Sequence, residues 1–162
     1  MTAAATASST DLIPKIESAL TAALTDIFST MFNQTMKVIP VSDITDVPRL
    51  SAIIGFTGRL SGVMCLHLSS LMACNIASGL LATPIAVVDG DVRDAVGELS
   101  NMLAGNLKKQ LSNTDNMFKM SIPSVIEGTE YSMHAPAEAH QVWMGVAAGD
   151  SRFKIQLVLQ DK

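Results

Sequence analysis

Two pairs of alternating runs, each joined by a short turn, constrain the fold of this chain more than any other feature. In the first pair, residues 51–58 and 60–68 meet at Gly58-Arg59. In the second pair, Gln141–Ala148 and Phe153–Gln160 flank a turn that contains glycine. Turns this short join antiparallel neighbours. We therefore predict two β-hairpins within a largely antiparallel sheet.

Helical periodicity marks three further segments. Apolar residues recur on one helical face from Asp11 to Met31, and Thr10 or Asp11 is expected to cap that helix. Ser69–Leu81 is the second predicted helix, and Asp89–Leu111 is predicted to be the third and longest. Helices that cluster between paired strands favour an α+β fold, in which the helices pack on one side of the sheet.

One more strand is expected between the third helix and the second hairpin. Asn113 and Asn116 indicate a turn, after which residues 118–122 alternate between apolar and polar up to Pro123. Proline cannot donate a hydrogen bond to a neighbouring strand. This strand should therefore lie at an edge of the sheet or carry a kink.

Composition and charge limit the classes of function. The chain has 162 residues and 48% hydrophobic content, so we expect a single domain at 11–162 after a disordered Ala/Thr/Ser tail at 1–10. With 11 basic against 15 acidic residues the net charge is −4, which disfavours nucleic acid and membrane surfaces as partners. The longest weakly polar stretch, Ile76–Val88, is too short to cross a bilayer. We expect a cytoplasmic protein.

The cysteine and histidine patterns do not predict a metal or redox site. Cys65 and Cys74 have apolar neighbours and no metal-ligand spacing, and Cys65 is expected to serve packing. His67, His134 and His140 are scattered, and we expect His67 on the polar face of its strand. A small-molecule hydrolase is disfavoured, because no nucleophile, base or metal constellation for it is found.

The third predicted helix separates into two faces. Its apolar face comprises Val92, Ala95, Val96, Leu99, Met102, Leu103 and Leu107, and its opposite stripe comprises Asp94, Glu98, Asn101, Gly105 and Lys108. Glu98 and Asn101 are three residues apart, so their side chains lie side by side. A solvated surface is one interpretation. However, Gly97 and Gly105 each cost about 1 kcal/mol in a helix, and they are expected to leave a low rim for a close approach.

At this helix the sequence resembles a known family. The pattern Asp94-x3-Glu98-x2-Asn101-x3-Gly105-Asn106 resembles the signature helix of the CheC/CheX/FliY chemotaxis phosphatases. Residues 51–68 resemble the hairpin of the CheX branch, and residues 120–128 resemble the strand after its active helix. The resemblance covers nearly all of the chain from Asp11 onward. The CheC branch typically carries two Glu-x-x-Asn motifs, and a second is not found here.

The resemblance implies hydrolysis of the aspartyl phosphate of a phosphorylated CheY-like response regulator. Such a helper needs no cofactor of its own, because the receiver supplies the Mg²⁺. Asn101 is expected to position water, and Glu98 to pair with the lysine that receivers place near the phosphoryl group. Asp94, Gly105 and Met102 are expected to contact the partner, although Asp94 also suits the helix dipole.

Two further expectations accompany the resemblance. CheX-like proteins are homodimers, and the apolar strands of the terminal hairpin, Gln141–Gln160, are expected to be edges that pair with a second copy. The alternative function is a non-catalytic module that binds a receiver domain or another signalling partner without hydrolysis. Retention of both Glu98 and Asn101 favours the enzyme over the binding module.

Overall fold

The computed structural model describes residues 9–111 and 118–160, in which the chain forms three α-helices and seven strands. In chain order the elements are α1 (Ser9–Met31), β1 (Met36–Ile39), β2 (Leu50–Gly58), β3 (Ser61–Leu68), α2 (Ser70–Leu81), α3 (Gly90–Gln110), β4 (Phe118–Met120), β5 (Ser124–Glu127), β6 (His140–Ala148) and β7 (Ser151–Gln160), with a 3₁₀ turn at Val41–Asp43.

The strands form one antiparallel sheet in the order β1-β6-β7-β3-β2-β4, with β5 beside β4 on the same edge of β2. Both predicted hairpins are confirmed. In the first, Ile54 pairs with Met64, and in the second, Met144 pairs with Ile155. Pairing of β3 with β7 joins the two hairpins at the centre of the sheet.

The hydrophobic core lies between the helices and one face of this sheet. On β3, Met64, Leu66 and Leu68 are fully buried on that face, and Leu20 and Leu24 of α1 are fully buried in the same cluster. The predicted α+β architecture with helices on one side is therefore confirmed. We call the opposite face of the sheet the outer face.

The helices differ from the prediction in two details. α1 already includes Thr10 and Asp11, so neither residue caps it, because a cap residue has a non-helical backbone. Residues 1–8 of the predicted tail lie outside the described residues. α1 has 23 residues and α3 has 21, so the third helix is not the longest. The second helix is confirmed, with Ser69 as its N-cap.

The predicted strand before Pro123 is shorter than expected and is followed by a second one. β4 ends at Met120, and β5 begins directly after Pro123. Both pair with β2, which confirms the predicted edge position. The alternation pattern did not predict β5, because four residues are too few to show it clearly, whereas the family resemblance placed a strand within residues 120–128. The expected turn at Asn113 and Asn116 lies outside the described residues.

The expected edge at the terminal hairpin is wrong. β1 pairs along the free side of β6, and β3 pairs along β7, so neither strand of this hairpin is an edge. The edges of the sheet are β1 on one side and the β4/β5 pair on the other. The apolar residues of β6 and β7 are buried in the core cluster of the single chain, without a second copy to cover them.

Candidate functional site

α3 is a well-terminated helix. Asp89 caps its start, with Oδ1 accepting a hydrogen bond from the Val92 backbone N–H at 3.0 Å. Lys108 and Lys109 occupy its last turn, where positive charge favours the carbonyl end of the helix dipole. These signals fix where the helix begins and ends, and so which residues face the core.

The two predicted faces of α3 are confirmed. Val92, Val96, Leu99, Leu103 and Leu107 are fully buried. Asp94, Glu98, Asn101 and Lys108 are exposed, and Gly105 is half-buried. We call the second set, Asp94, Glu98, Asn101, Gly105 and Lys108, the exposed stripe.

Glu98 and Asn101 stand free on the exposed stripe. Within residues 9–111 and 118–160, neither side chain has a hydrogen-bond partner or an ion pair. They are three residues apart on one helix, so a carboxylate and a carboxamide project together into solvent. An acceptor-only group next to a group that both donates and accepts is suited to holding a cation and a water molecule side by side.

The expected low rim is present at Gly105 but not at Gly97. A Cβ atom on Gly105 would meet nothing within 4 Å. Gly97 is buried, and a Cβ atom there would lie 3.7 Å from Pro123 Cγ and from Val125 Cγ2. The expectation was wrong at Gly97, because β5 covers that side of α3 and pattern analysis had missed β5.

Met102 and Asn106, the two half-buried neighbours of the exposed stripe, contribute little free polar surface. Met102 is half-buried and packs against the core. Asn106 donates from Nδ2 to the Met102 carbonyl at 3.1 Å, so its amide is held against its own helix. Asp94, Glu98 and Asn101 are therefore the motif's polar side chains without a partner among the described residues.

A second polar cluster, absent from the sequence prediction, lies on the outer face of the sheet. His67 Nδ1 lies 2.7 Å from Ser51 Oγ, and Ser51 Oγ lies 2.5 Å from Tyr131 Oη. His67 Nε2 lies 3.1 Å from Gln156 Oε1. The ring of Trp143 stacks on His67 with centroids 5.5 Å apart.

His67 lies on the face opposite the helices, as predicted, but it is buried and not solvated. Burial lowers its pKa, a nearby lysine, Lys154, lowers it further, and the hydrogen bond to Gln156 opposes this shift. The sequence could not show this burial, because the segment after β5 that supplies Tyr131 crosses the outer face without any helical or strand pattern. Among the described residues, no group of three His, Cys, Asp or Glu side chains could hold a metal ion.

The cysteines have packing roles. Cys65 is buried, with Sγ 3.6 Å from Met133 Sδ, and burial raises the pKa of its thiol to about 12. Burial also raises the pKa of the Cys74 thiol, and the carboxylate of Asp89 adds to this shift. The prediction that Cys65 packs is confirmed, since such a thiol stays protonated near neutral pH.

Two cavities of the described chain lie away from Glu98 and Asn101. One of about 330 Å³ lies where α1, α2 and the β6–β7 turn meet and includes Phe32, Asn75 and Ser151. Another of about 280 Å³ lies on the outer face beside Trp143 and Tyr131. Neither includes Glu98 or Asn101. These two residues sit on an open helix surface, which fits another macromolecule better than a small substrate.

The sequence profile of Chemotaxis phosphatase CheX matches residues 50–146, which is more than half of the chain. The chain belongs to the CheX family. The matched region includes the β2–β3 hairpin and all of α3, so the family assignment covers the exposed stripe. The family resemblance expected from the sequence is confirmed.

One curated relative and two solved structures illustrate this membership. The CheY-P phosphatase CheX of Thermotoga maritima is 30% identical over 98 residues, which span 60% of this chain and 63% of that relative. CheX from Vibrio vulnificus has a TM-score of 0.78 at 22% identity, covering 90% of this chain and 97% of the other. A chain of the CheX-CheY-BeF3-Mg²⁺ complex from Borrelia burgdorferi has a TM-score of 0.71 at 19% identity, covering 93% and 99%.

These similarities confirm the fold along most of the chain. The chain spans less than two thirds of the length of the curated relative that it matches. No helix among the described residues is long and apolar enough to cross a membrane.

Proposed function

We propose that this CheX-family protein hydrolyses the aspartyl phosphate of a phosphorylated CheY-like response regulator. The observation that carries the proposal is the pair Glu98 and Asn101, exposed and without partners on one helix whose opposite face is buried. The name of the Thermotoga maritima relative, a CheY-P phosphatase, supports the substrate class.

The chemistry that this substrate requires is limited. Water attacks the phosphorus atom, the bond between phosphorus and the aspartate oxygen breaks, and inorganic phosphate and the free carboxylate leave. The receiver's Mg²⁺ neutralises the charge on the phosphoryl oxygens, so the phosphatase itself supplies neither a nucleophile nor a metal ion. What remains for this protein is to place a water molecule in line with the bond that breaks.

Asn101 is the residue we assign to that task. Its carboxamide has two donors and one acceptor, so it can hold a water molecule in a fixed orientation. Because its side chain has no partner among the described residues, it does not have to give up an internal hydrogen bond in order to engage water.

Glu98 is assigned a different role, pairing with the ammonium group of the lysine beside the receiver's phosphoryl group. A charge-assisted hydrogen bond of this kind strengthens as the two surfaces exclude water. It would fix the register in which the two proteins dock, and with it the place of Asn101. Asp94 and Gly105 lie on the same stripe and belong to the contact surface, and Met102 borders it.

The test is the decay of receiver phosphate with and without this protein, for each CheY-like receiver of the same genome. Faster decay of at least one receiver supports the proposal. Binding without any acceleration would instead establish the non-catalytic module. Absence of both binding and acceleration for all receivers would contradict both functions.

A further inference from the structure

Ile122 is the most exposed large apolar side chain among the described residues, at 84%. It lies in the corner between β4 and β5, which we define as residues 121–123. A single exposed aliphatic side chain is ordinary on a protein surface and by itself indicates no function. Two features distinguish Ile122, namely the fixed backbone on both sides of it and its position beside the exposed stripe.

The corner is held rigidly on both sides of Ile122. The Ser121 N–H donates to the Gly55 carbonyl at 2.9 Å, and the Gly55 N–H donates to Ser121 Oγ at 2.9 Å. On the other side, the ring of Pro123 restricts the backbone, and Ser124 pairs at once with Ile53. Ile122 is therefore presented at a fixed place, so ordering it on binding costs little conformational entropy.

The corner borders the exposed stripe on the side of Asn101. Pro123 packs against Gly97 of α3, where a Cβ atom would lie 3.7 Å from the proline ring. Asn101 follows Gly97 by four residues and so lies one turn further along the same side of the helix. Ile122, next to Pro123 in the chain, therefore lies on the side of α3 that carries Asn101.

The size of a specific protein–protein interface also indicates that residues beside the exposed stripe take part in docking. Such interfaces involve about 20–30 residues on each side and bury apolar side chains at their centre. The exposed stripe has five residues, of which three are charged and one is a glycine. It offers hydrogen bonds and charge but almost no apolar area, so affinity has to come from neighbouring elements.

We propose that Ile122 is the apolar anchor by which this protein docks on the receiver, filling an apolar hollow beside the receiver's aspartyl phosphate. This inference rests on the proposed function and assigns the corner a positioning role. Ile122 touches no reacting atom. Its contribution is the same before and during hydrolysis, so it lowers KM and leaves kcat unchanged.

The experiment compares Ile122→Ser with a matched control, Val47→Ser. Val47 is also aliphatic and 66% exposed, but it lies on the outer-face side, beside His67 and Trp143. Affinity is measured for the receiver loaded with beryllofluoride and Mg²⁺, and KM and kcat are measured with the phosphorylated receiver. For Ile122→Ser we expect Kd and KM to rise about tenfold with kcat within about twofold. Ile122→Val should stay near wild type, and Val47→Ser should change neither constant.

The results separate the inference from the proposed function. If wild type binds and dephosphorylates the receiver while Ile122→Ser behaves like Val47→Ser, the anchor is wrong and the function stands. A fall in kcat at unchanged Kd would also overturn the anchor. If wild type neither binds nor dephosphorylates any receiver, the function fails and the anchor fails with it.

Discussion

Arg93 of α3 and Glu127 of β5 form an ion pair, with Nη1 and Oε2 2.7 Å apart, that links the helix carrying the exposed stripe to the edge of the sheet. Both side chains are about two-fifths exposed, so solvent screens the pair and its contribution is small, about 0–1 kcal/mol. On the same side of α3, Gly97 is buried beside Pro123 and Val125. Both features place α3 against the β4/β5 edge.

Replacing Asn101 by alanine should separate catalysis from binding. Asn101→Ala removes the amide that positions water but leaves Glu98, so turnover should fall about 10²-fold while receiver affinity persists. Decay of receiver phosphate and a titration with the beryllofluoride-loaded receiver measure the two effects. Asn106→Ala is the matched control, because that amide bonds to its own helix, and it should keep full activity. Full activity of Asn101→Ala would remove its assigned role.

Replacing Glu98 by alanine should lower both affinity and rate. Glu98→Ala deletes the partner of the receiver's lysine, and Glu98→Gln, which keeps the shape without the charge, should share the defect. Neither variant should unfold, since the side chain is exposed and alanine is the better helix former. Glu138→Ala removes an exposed carboxylate outside α3 and serves as the control. Equal affinities for Glu98→Ala and Glu138→Ala would contradict the pairing.

Gly97 and Gly105 of α3 should respond differently to replacement by alanine. Gly97→Ala and Gly105→Ala each replace a glycine in the helix interior, so each should raise stability by about 0.5–1 kcal/mol, seen as a Tm increase of a few degrees. The new methyl group at 97 meets Pro123, whereas the one at 105 faces open space. Only Gly105→Ala should weaken receiver binding. Loss of binding in both variants, or in neither, would argue against close approach at Gly105.

The divalent metal ion that dephosphorylation requires should be bound by the receiver and not by this protein. Elemental analysis of the purified protein should find no tightly bound divalent ion, whereas chelation should abolish dephosphorylation and excess Mg²⁺ should restore it. Stoichiometric zinc in the purified protein would contradict this prediction and make the histidines candidate metal ligands.

Self-association should use an edge of the sheet. β1 is an edge, and its Val38 is 50% exposed, so we expect a symmetric dimer through β1 that leaves the exposed stripe free. Light scattering should give twice the 17.1 kDa monomer mass, and Val38→Glu should lower it. A monomer mass at micromolar concentration would refute the dimer.

The parts of the fold that were predictable are those with local patterns. The faces of α3 repeat every turn of the helix, and β6 and β7 alternate around a short turn, so both are visible in the sequence. The burial of Gly97 is not, because it depends on β5, which forms by pairing with β2 more than sixty residues away. For the same reason the edge expected at the terminal hairpin was wrong, because β1, a four-residue strand, pairs along the free side of β6.

While His67 is neutral, the cluster on the outer face has one arrangement of its protons. Gln156 Oε1 can only accept, so His67 must carry its hydrogen on Nε2, and its bare Nδ1 accepts from the Ser51 hydroxyl. Ser51 then accepts from Tyr131. An imidazolium would donate from both nitrogens, and the Ser51 hydroxyl would then have to turn its hydrogen towards Tyr131 Oη. The segment that crosses the outer face is thus bonded to a ring that burial keeps neutral by lowering its pKa, and protonation of that ring at low pH would reverse the hydrogen bond to Tyr131.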